Sequence, residues 1–164
     1  MESAISKLKS ELRDLQVVQT VDSRRLEQVL IMINQTVVLN ACATNGSFTQ
    51  GEIIHFPNIK THNGVTDLKA FQNTGMFTCE VSGYYLVSAY IMSYSMFSSF
   101  YIVKNGEEIS SVYIKGSDGQ PSRYGTGTAI QAVHLNAGDV IYVKTAYQMY
   151  IYADLHSCVT VAKL

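Results

Sequence analysis

The chain has 164 residues, 47% of them apolar and 15% charged, with a net charge of −1. That length suits one domain of ordinary size with an appendage. Near-neutrality without a basic run excludes the phosphate-neutralising surface that nucleic-acid binding requires. So low a charged fraction in a soluble chain points to a surface partly covered by other subunits. No apolar run reaches the ~18 residues of a membrane helix. Met1 leads straight into a polar, charged segment, so the chain is either intracellular or secreted with a leader that this sequence lacks.

Residues 3–36 read as one long helix, with no glycine or proline to interrupt it. Spacing of three then four places Ile5, Leu8, Leu12, Leu15, Gln19, Asp22, Leu26, Val29, Ile33 and Thr36 on one seam, and seven of these ten are apolar. Five heptads extend roughly 50 Å at ~1.5 Å per residue. A helix of that length with a heptad seam is expected to be a coiled coil, with Ile5, Leu8, Leu12, Leu15, Leu26, Val29 and Ile33 as its oligomerisation contacts. Gln19 and Asp22 are polar seam positions, which cost stability and fix register. The alternative is a single amphipathic helix folded onto its own β domain. The expected division is 1–37 as coiled-coil helix and 38–164 as head.

From residue 38 onward the pattern changes to a period of two. Ala43 to Ser47 reads as a loop, Glu52 to Phe56 as a short strand stopped by Pro57, and Thr61 to Gly64 as a turn. In the run from Gly75 to Tyr90, Phe77, Cys79 and Val81 alternate with Met76, Thr78 and Glu80. Beyond Gly83, Tyr85, Val87 and Ala89 alternate with Tyr84, Leu86 and Ser88. Glycine in such a run marks a bend or a close backbone approach. Both faces are largely apolar, as for a strand covered on both sides. Phe97 to Lys104 and Glu108 to Ile114 flank Asn105-Gly106, a hairpin turn. Gly127 to Leu135 and Asp139 to Tyr147 flank an Asn-Ala-Gly-Asp turn. Tyr150 to Asp154 and Ser157 to Val161 close the chain. Eight to ten strands with regular turns indicate an antiparallel sandwich.

These motifs resemble the globular head of the C1q family. The resemblance lies in Gly75-x-Phe77-x-Cys79-x-Val81-x-Gly83-x-Tyr85, then Lys104-Asn105-Gly106, then Leu135-x-x-Gly138-Asp139-Val140. Ile54-His55-Phe56, Asn63-Gly64 and the closing Ser157-Cys158 extend it over residues 40–164. The last strand, Val159 to Leu164, lacks the aromatic and glycine usual in the family, and the first strand, around Leu39 to Ala41, lacks its usual aromatic. The resemblance implies an all-β jelly-roll sandwich of the C1q/TNF type, preceded here by the helical coil, and associating as a homotrimer. It further implies a secreted, extracellular protein. Two sequons, Asn34-Gln35-Thr36 and Asn45-Gly46-Ser47, are compatible with secretion and equally with chance.

The search for chemistry turns up no enzyme. There is no phosphate loop, dinucleotide fingerprint, zinc-protease helix or nucleophile elbow, so no catalytic residues and no cofactor are expected. Gly125-Thr126-Gly127 reads as turn geometry. His55, His62, His134 and His156 are scattered, and no metal site is expected. Asp118 and Asp154 are candidate calcium ligands, as in some members of the family, but two acids without ligand spacing do not define a site. Cys42, Cys79 and Cys158 leave the pairing open. A last strand beside the first would bring Cys42 to Cys158; one beside the central strand would bring Cys79 to Cys158. Three buried thiols are the remaining reading.

The candidate binding surfaces are loops. Residues 115–124 supply Arg123 and Tyr124, and residues 147–156 supply Tyr147, Tyr150, Tyr152 and Asp154. Arg123, Tyr124, Tyr150 and Asp154 form the expected ligand site: aromatic faces for sugar C–H groups, a guanidinium for acidic sugars and a carboxylate for hydroxyls. The competing reading is that the tyrosines fill the sandwich or the trimer axis. The expected function is lectin-like pattern recognition in innate immunity, with carbohydrate or microbial-surface glycans as partners. A trimeric ligand for a protein receptor, as on the cerebellin and TNF side of the superfamily, and a structural matrix component are the alternatives.

Overall fold

The computed structural model describes residues 2–34, 36–95, 97–114 and 124–164, with the side chains of the N-terminal helix described from residue 4 to residue 30. The chain divides into two compact units, 1–36 and 37–164. The first is α1, Glu2–Asn34, a single helix of 33 residues. Ile5, Leu8, Leu12, Leu15, Leu26 and Val29 are each at least half exposed on it. The side chain of Ile33 lies outside the described residues. Val17, Val18, Val21 and Leu30 are also exposed, so the apolar surface is wider than the seam alone.

The second unit is a two-sheet antiparallel sandwich with, among the described residues, eleven strands: β1 (Val38–Cys42), β2 (Gly46–Phe48), β3 (Asn58–Asn63), β4 (Phe77–Thr78), β5 (Gly83–Ser93), β6 (Ser98–Lys104), β7 (Glu107–Ile114), β8 (Gly125–Leu135), β9 (Val140–Thr145), β10 (Met149–Ile151) and β11 (Cys158–Lys163), with a helix α2 (Leu68–Thr74) between β3 and β4. One sheet runs β4-β9-β6-β7. In the other, β5 is paired along its whole length with β8 on one edge and with β11, then β10, on the other. β1 and β2 lie outside β11 and β10, and β3 closes the edge beside β1. β10 and β11 act as two halves of one strand, parted by a 3₁₀ turn at Asp154–His156.

Alternation sends Tyr85, Val87, Ala89 and Ile91 of β5 into the core, where they meet Phe100 and Ile102 of β6 and Ile141 and Val143 of β9. Ile54 and Phe56 are fully buried as expected of a strand, but residues 52–56 form only one bridge, Ile53 to Lys144. Pro57 cannot donate a backbone hydrogen bond, and the strand begins after it, so Thr61 to Asn63 are strand rather than turn. Gly83 does not bend one long strand; it opens β5 after a break following β4. α2 fell within a stretch with no assigned element, although Asp67 caps its first turn by accepting from Ala70 N and Gly75 ends it at φ 71°.

The disulfide joins Cys42 to Cys158, cross-strand partners in β1 and β11 that are 116 residues apart in sequence. β11 lies beside both the first and the central strand, but Cys79 follows β4 and so never faces it. It remains a buried thiol. A crosslink closing a loop that long stabilises by about 5 kcal/mol on the chain-entropy account.

Gly127 is not a turn residue. It sits within β8, buried, where β8 passes β7, and a Cβ there would lie 2.6 Å from both Ile114 Cγ1 and Val112 Cγ1. Gly127→Val should therefore destabilise the head by about 1–3 kcal/mol, read as a lower denaturation midpoint. An unchanged midpoint would contradict this packing.

The two hairpin turns are tied together by side chains. Asn105 and Gly106 take positive φ (50° and 88°), as a two-residue primed turn demands. Asn105 donates to Asp139 Oδ1 and accepts from Val140 N, while Lys104 Nζ pairs with Asp139 Oδ2 at 3.0 Å. The Asn136 N–H, the Asn105 amide and the Lys104 ammonium hold the Asp139 carboxyl down to about 2, from an ordinary 3.8. The folded state thus binds this proton less tightly than the unfolded chain. The contribution is complete above the ordinary carboxylate value and is lost as pH falls from about 4 towards 2. Asp139→Asn should lower stability at pH 7 and flatten that part of the acid-denaturation curve. Parallel curves for both proteins would contradict it.

Candidate functional site

The sheet that carries β5 has an outward face, and its composition follows from register. Opposite the buried residues of β5 stand Tyr84, Leu86, Ser88, Tyr90 and Met92. β8 sets His134, Ala132, Ile130, Thr128 and Thr126 beside them in that order. On the other edge β11 contributes Ala162, Thr160 and Cys158, while Leu164 donates its backbone N–H to the Tyr84 carbonyl. These rows contain no aspartate, glutamate, lysine or arginine, in a chain that has 25 of them (12 + 13). Leu86 and Ile130 are exposed on this face, Ile130 at 66%, and Tyr84 at 65%. Three strands ~4.8 Å apart and five rows ~6.7 Å apart cover roughly 500 Å². An exposed sheet face of that size without a formal charge is a candidate interaction surface.

At one end the face becomes a cluster of tyrosines. Ile151 is buried, so Tyr150 and Tyr152 turn outward. Tyr94 continues the outward series of β5, and Tyr124 precedes β8 opposite it. Ring centroids are 5.3 Å apart for Tyr94–Tyr150, 5.8 Å for Tyr94–Tyr152, 4.8 Å for Tyr124–Tyr152, 5.2 Å for Tyr150–Tyr152 and 6.4 Å for Tyr94–Tyr124. These are distances of direct edge-to-face and tilted contact. The rings pack on one another, so the cluster is a platform and not a cage with room for a cation between its walls. Tyr152 Oη donates to Tyr124 Oη at 3.3 Å. That hydrogen bond, with some desolvation and the neighbouring phenols, pushes the Tyr152 phenol up to about 12. The Tyr152 phenol therefore stays neutral through the physiological range.

Of the expected ligand residues, Tyr124 and Tyr150 are brought together through Tyr94 and Tyr152. Arg123 lies outside the described residues, as does Asp118. Asp154 leaves the strand for the 3₁₀ turn, at φ 55°, where its backbone N–H reaches the Ala43 carbonyl. The turn is fixed at its start by Asn45, whose Oδ1 accepts from Ala153 N at 2.6 Å. Tyr94 was missed, although its even position in the series 84, 86, 88, 90, 92 carries the signal. Tyr147 is half-exposed. Among the described residues no group of histidine, cysteine or acidic side chains has the geometry of a metal site.

Comparison with known proteins agrees with this architecture. The C1q domain family matches residues 39–160. Among solved structures, the globular domain of zebrafish complement 1qA protein is similar at 14% identity and a TM-score of 0.62, covering 78% of this chain and 96% of its own. The Eiger TNF of S. frugiperda is similar at 13% identity and 0.62, covering 79% and 93%. Murine APRIL is similar at 14% and 0.58, covering 79% and 99%. No curated protein matches. At these identities the structures speak for the fold, and the sequence match over three quarters of the chain speaks for descent: the protein belongs to the C1q domain family.

Proposed function

We propose that the chain is an extracellular homotrimeric recognition protein. Its heads meet through the uncharged face of the β5 sheet, and α1 gathers the copies as a coiled coil. The observation that carries this is the outward face itself, five rows without a formal charge; in the other unit, the described apolar heptad residues of α1 are all exposed in the single chain. A second copy bearing the same uncharged face fits such a patch, whereas a charged partner would be desolvated against it without compensation. A coil that holds the copies together raises their effective concentration, so a modest head contact suffices. Sedimentation of the full chain tests this, and a monomer at micromolar concentration would overturn it. Leu12→Asp buries one charge per chain in the seam and should weaken the trimer at least tenfold. A variant still fully trimeric at nanomolar concentration would mean that the heads alone suffice.

For the ligand, the reading is carbohydrate or a microbial-surface glycan, bound at the tyrosine platform, with Arg123 and Asp154 as its proposed polar contacts. Support comes from partly exposed aromatic faces that carry hydroxyls. A shallow platform binds one sugar weakly, near a millimolar Kd or about 4 kcal/mol. Three platforms held on one assembly then gain ~10²–10⁴ in avidity on a repetitive surface. Tyr150→Ala should reduce binding to a sugar-coated surface by at least tenfold while the trimer persists. Loss of the trimer instead would assign the platform to the contact between copies. A protein receptor is the second reading, favoured by the likeness to the TNF-type structures; a receptor ectodomain retained by the trimer, with no glycan bound, would select it. Recognition rather than catalysis is common to both. A structural matrix role would show as self-association beyond the trimer.

A further inference from the structure

We propose that Asn45 carries an N-linked glycan and that the first sugar of this glycan lies against Tyr152, at the rim of the tyrosine platform. The proposal rests on the extracellular part of the reading above, because only a chain that enters the secretory pathway meets the glycosylating enzyme. It does not rest on the choice of ligand. The Cys42–Cys158 disulfide agrees with that route, since such crosslinks persist in oxidising compartments.

The motif is Asn45-Gly46-Ser47, with glycine and not proline between the acceptor and the hydroxyl. Asn45 sits at the bend that leads into β2, an edge strand of its sheet, and both Asn45 and Ser47 are exposed. Chemistry sets the orientation of the amide. Ala153 N is a donor, so the atom that meets it at 2.6 Å is Oδ1. Nδ2, the atom that sugar attachment uses, is then turned away from that backbone, and it makes no hydrogen bond among the described residues. Attachment forms a bond from Nδ2 to the anomeric carbon of a lipid-pyrophosphate-linked oligosaccharide and breaks that carbon's bond to a phosphate oxygen. One Nδ2 proton passes to a base of the transferase and the lipid pyrophosphate departs, with no change of oxidation state. The amide carbonyl survives, so the folded head keeps the bond to Ala153 N, which fixes the direction in which the sugar leaves.

That bond also fixes what the sugar meets. β2 pairs with β10 through Phe48–Met149, Ser47–Tyr150 and Gly46–Ile151. One further step sets Asn45 beside Tyr152, and the contact with Ala153, the next residue, holds it there. Opposite residues in such a pair have Cβ atoms roughly 4.5–5.5 Å apart, so a sugar on Asn45 starts next to the Tyr152 side chain. Tyr94, Tyr124 and Tyr150 cover part of the Tyr152 ring, which is half-buried. The remainder is open to the C–H face of a sugar. Stacking of this kind is weak between free partners. A short tether supplies an effective concentration on the order of millimolar, which is enough to populate it.

The test is to secrete the full chain from eukaryotic cells behind a cleavable leader and map its peptides by mass. Enzymatic removal of N-glycans turns an occupied asparagine into aspartate, and Asn45 is expected to show this change. Ser47→Ala should lose the sugar while keeping the Asn45 side chain and its hydrogen bond. The contact is read by the rate of tyrosine nitration: Tyr152 should react at least threefold faster in Ser47→Ala, with Tyr113 of the other sheet, which is also exposed, as the unchanged reference. A secreted chain with Asn45 unmodified overturns the proposal, as does an occupied Asn45 with Tyr152 nitrated at the same rate in both proteins. A chain that is neither exported nor modified overturns the extracellular reading first, and this proposal with it. Failure of both proteins to bind a sugar-coated surface would overturn the carbohydrate reading and leave occupancy and shielding at Asn45 in place.

Discussion

The structure depends on β5 being hydrogen-bonded along both edges at once. With β8 on one side and β11 and β10 on the other, it has no freedom of register. A slip of one residue would send Tyr85, Val87, Ala89 and Ile91 to the outside and Tyr84, Ser88 and Tyr90 into the core. One pairing therefore determines both the packed interior and the composition of the outward face. Tyr85 shows how strictly the inner position is specified: it is fully buried, and its hydroxyl finds the Val81 carbonyl at 2.6 Å. Burial pushes its phenol well above the usual range.

Much of this was legible because strands with one buried face must alternate. The β6–β7 hairpin was readable from Asn105-Gly106, and the β8–β9 hairpin from the Asn-Ala-Gly-Asp turn, since few residue types suit those backbone angles. The two-layer fold followed from the number of alternating runs and from the family motifs. What escaped was decided by contacts distant in sequence. Gly127 looks like a turn glycine until Val112 and Ile114 are seen above it. Residues 52–56 alternate like a strand, yet pair at one position only. α2 is too short for periodicity to reveal; only its caps do.

The candidate site was half legible. Tyr150 and Tyr152 on one face followed from period two. Their meeting with Tyr94 and Tyr124 depends on the pairing of Ser93 with both Ile151 and Gly125, which no local pattern contains. Strand alternation would put Asp154 on the side of Tyr150 and Tyr152, but alternation ends where the 3₁₀ turn begins. The likeness to both complement-type and TNF-type heads lies in the fold.

That β1 lies between β3 and β11 bears on how the head is made. The first strand of the domain reaches the rest of its sheet only through the last strand. Local hairpins such as β6–β7 can form as the chain emerges from the ribosome, but the pairing of residues 38–42 with residues 158–162 cannot. Until the final six-residue strand arrives, one edge of β5 stays open, a template for any strand nearby. Synthesis of this head is therefore all-or-none at its C-terminal end, and a chain stopped short by a few residues would present an adhesive edge rather than a slightly smaller domain.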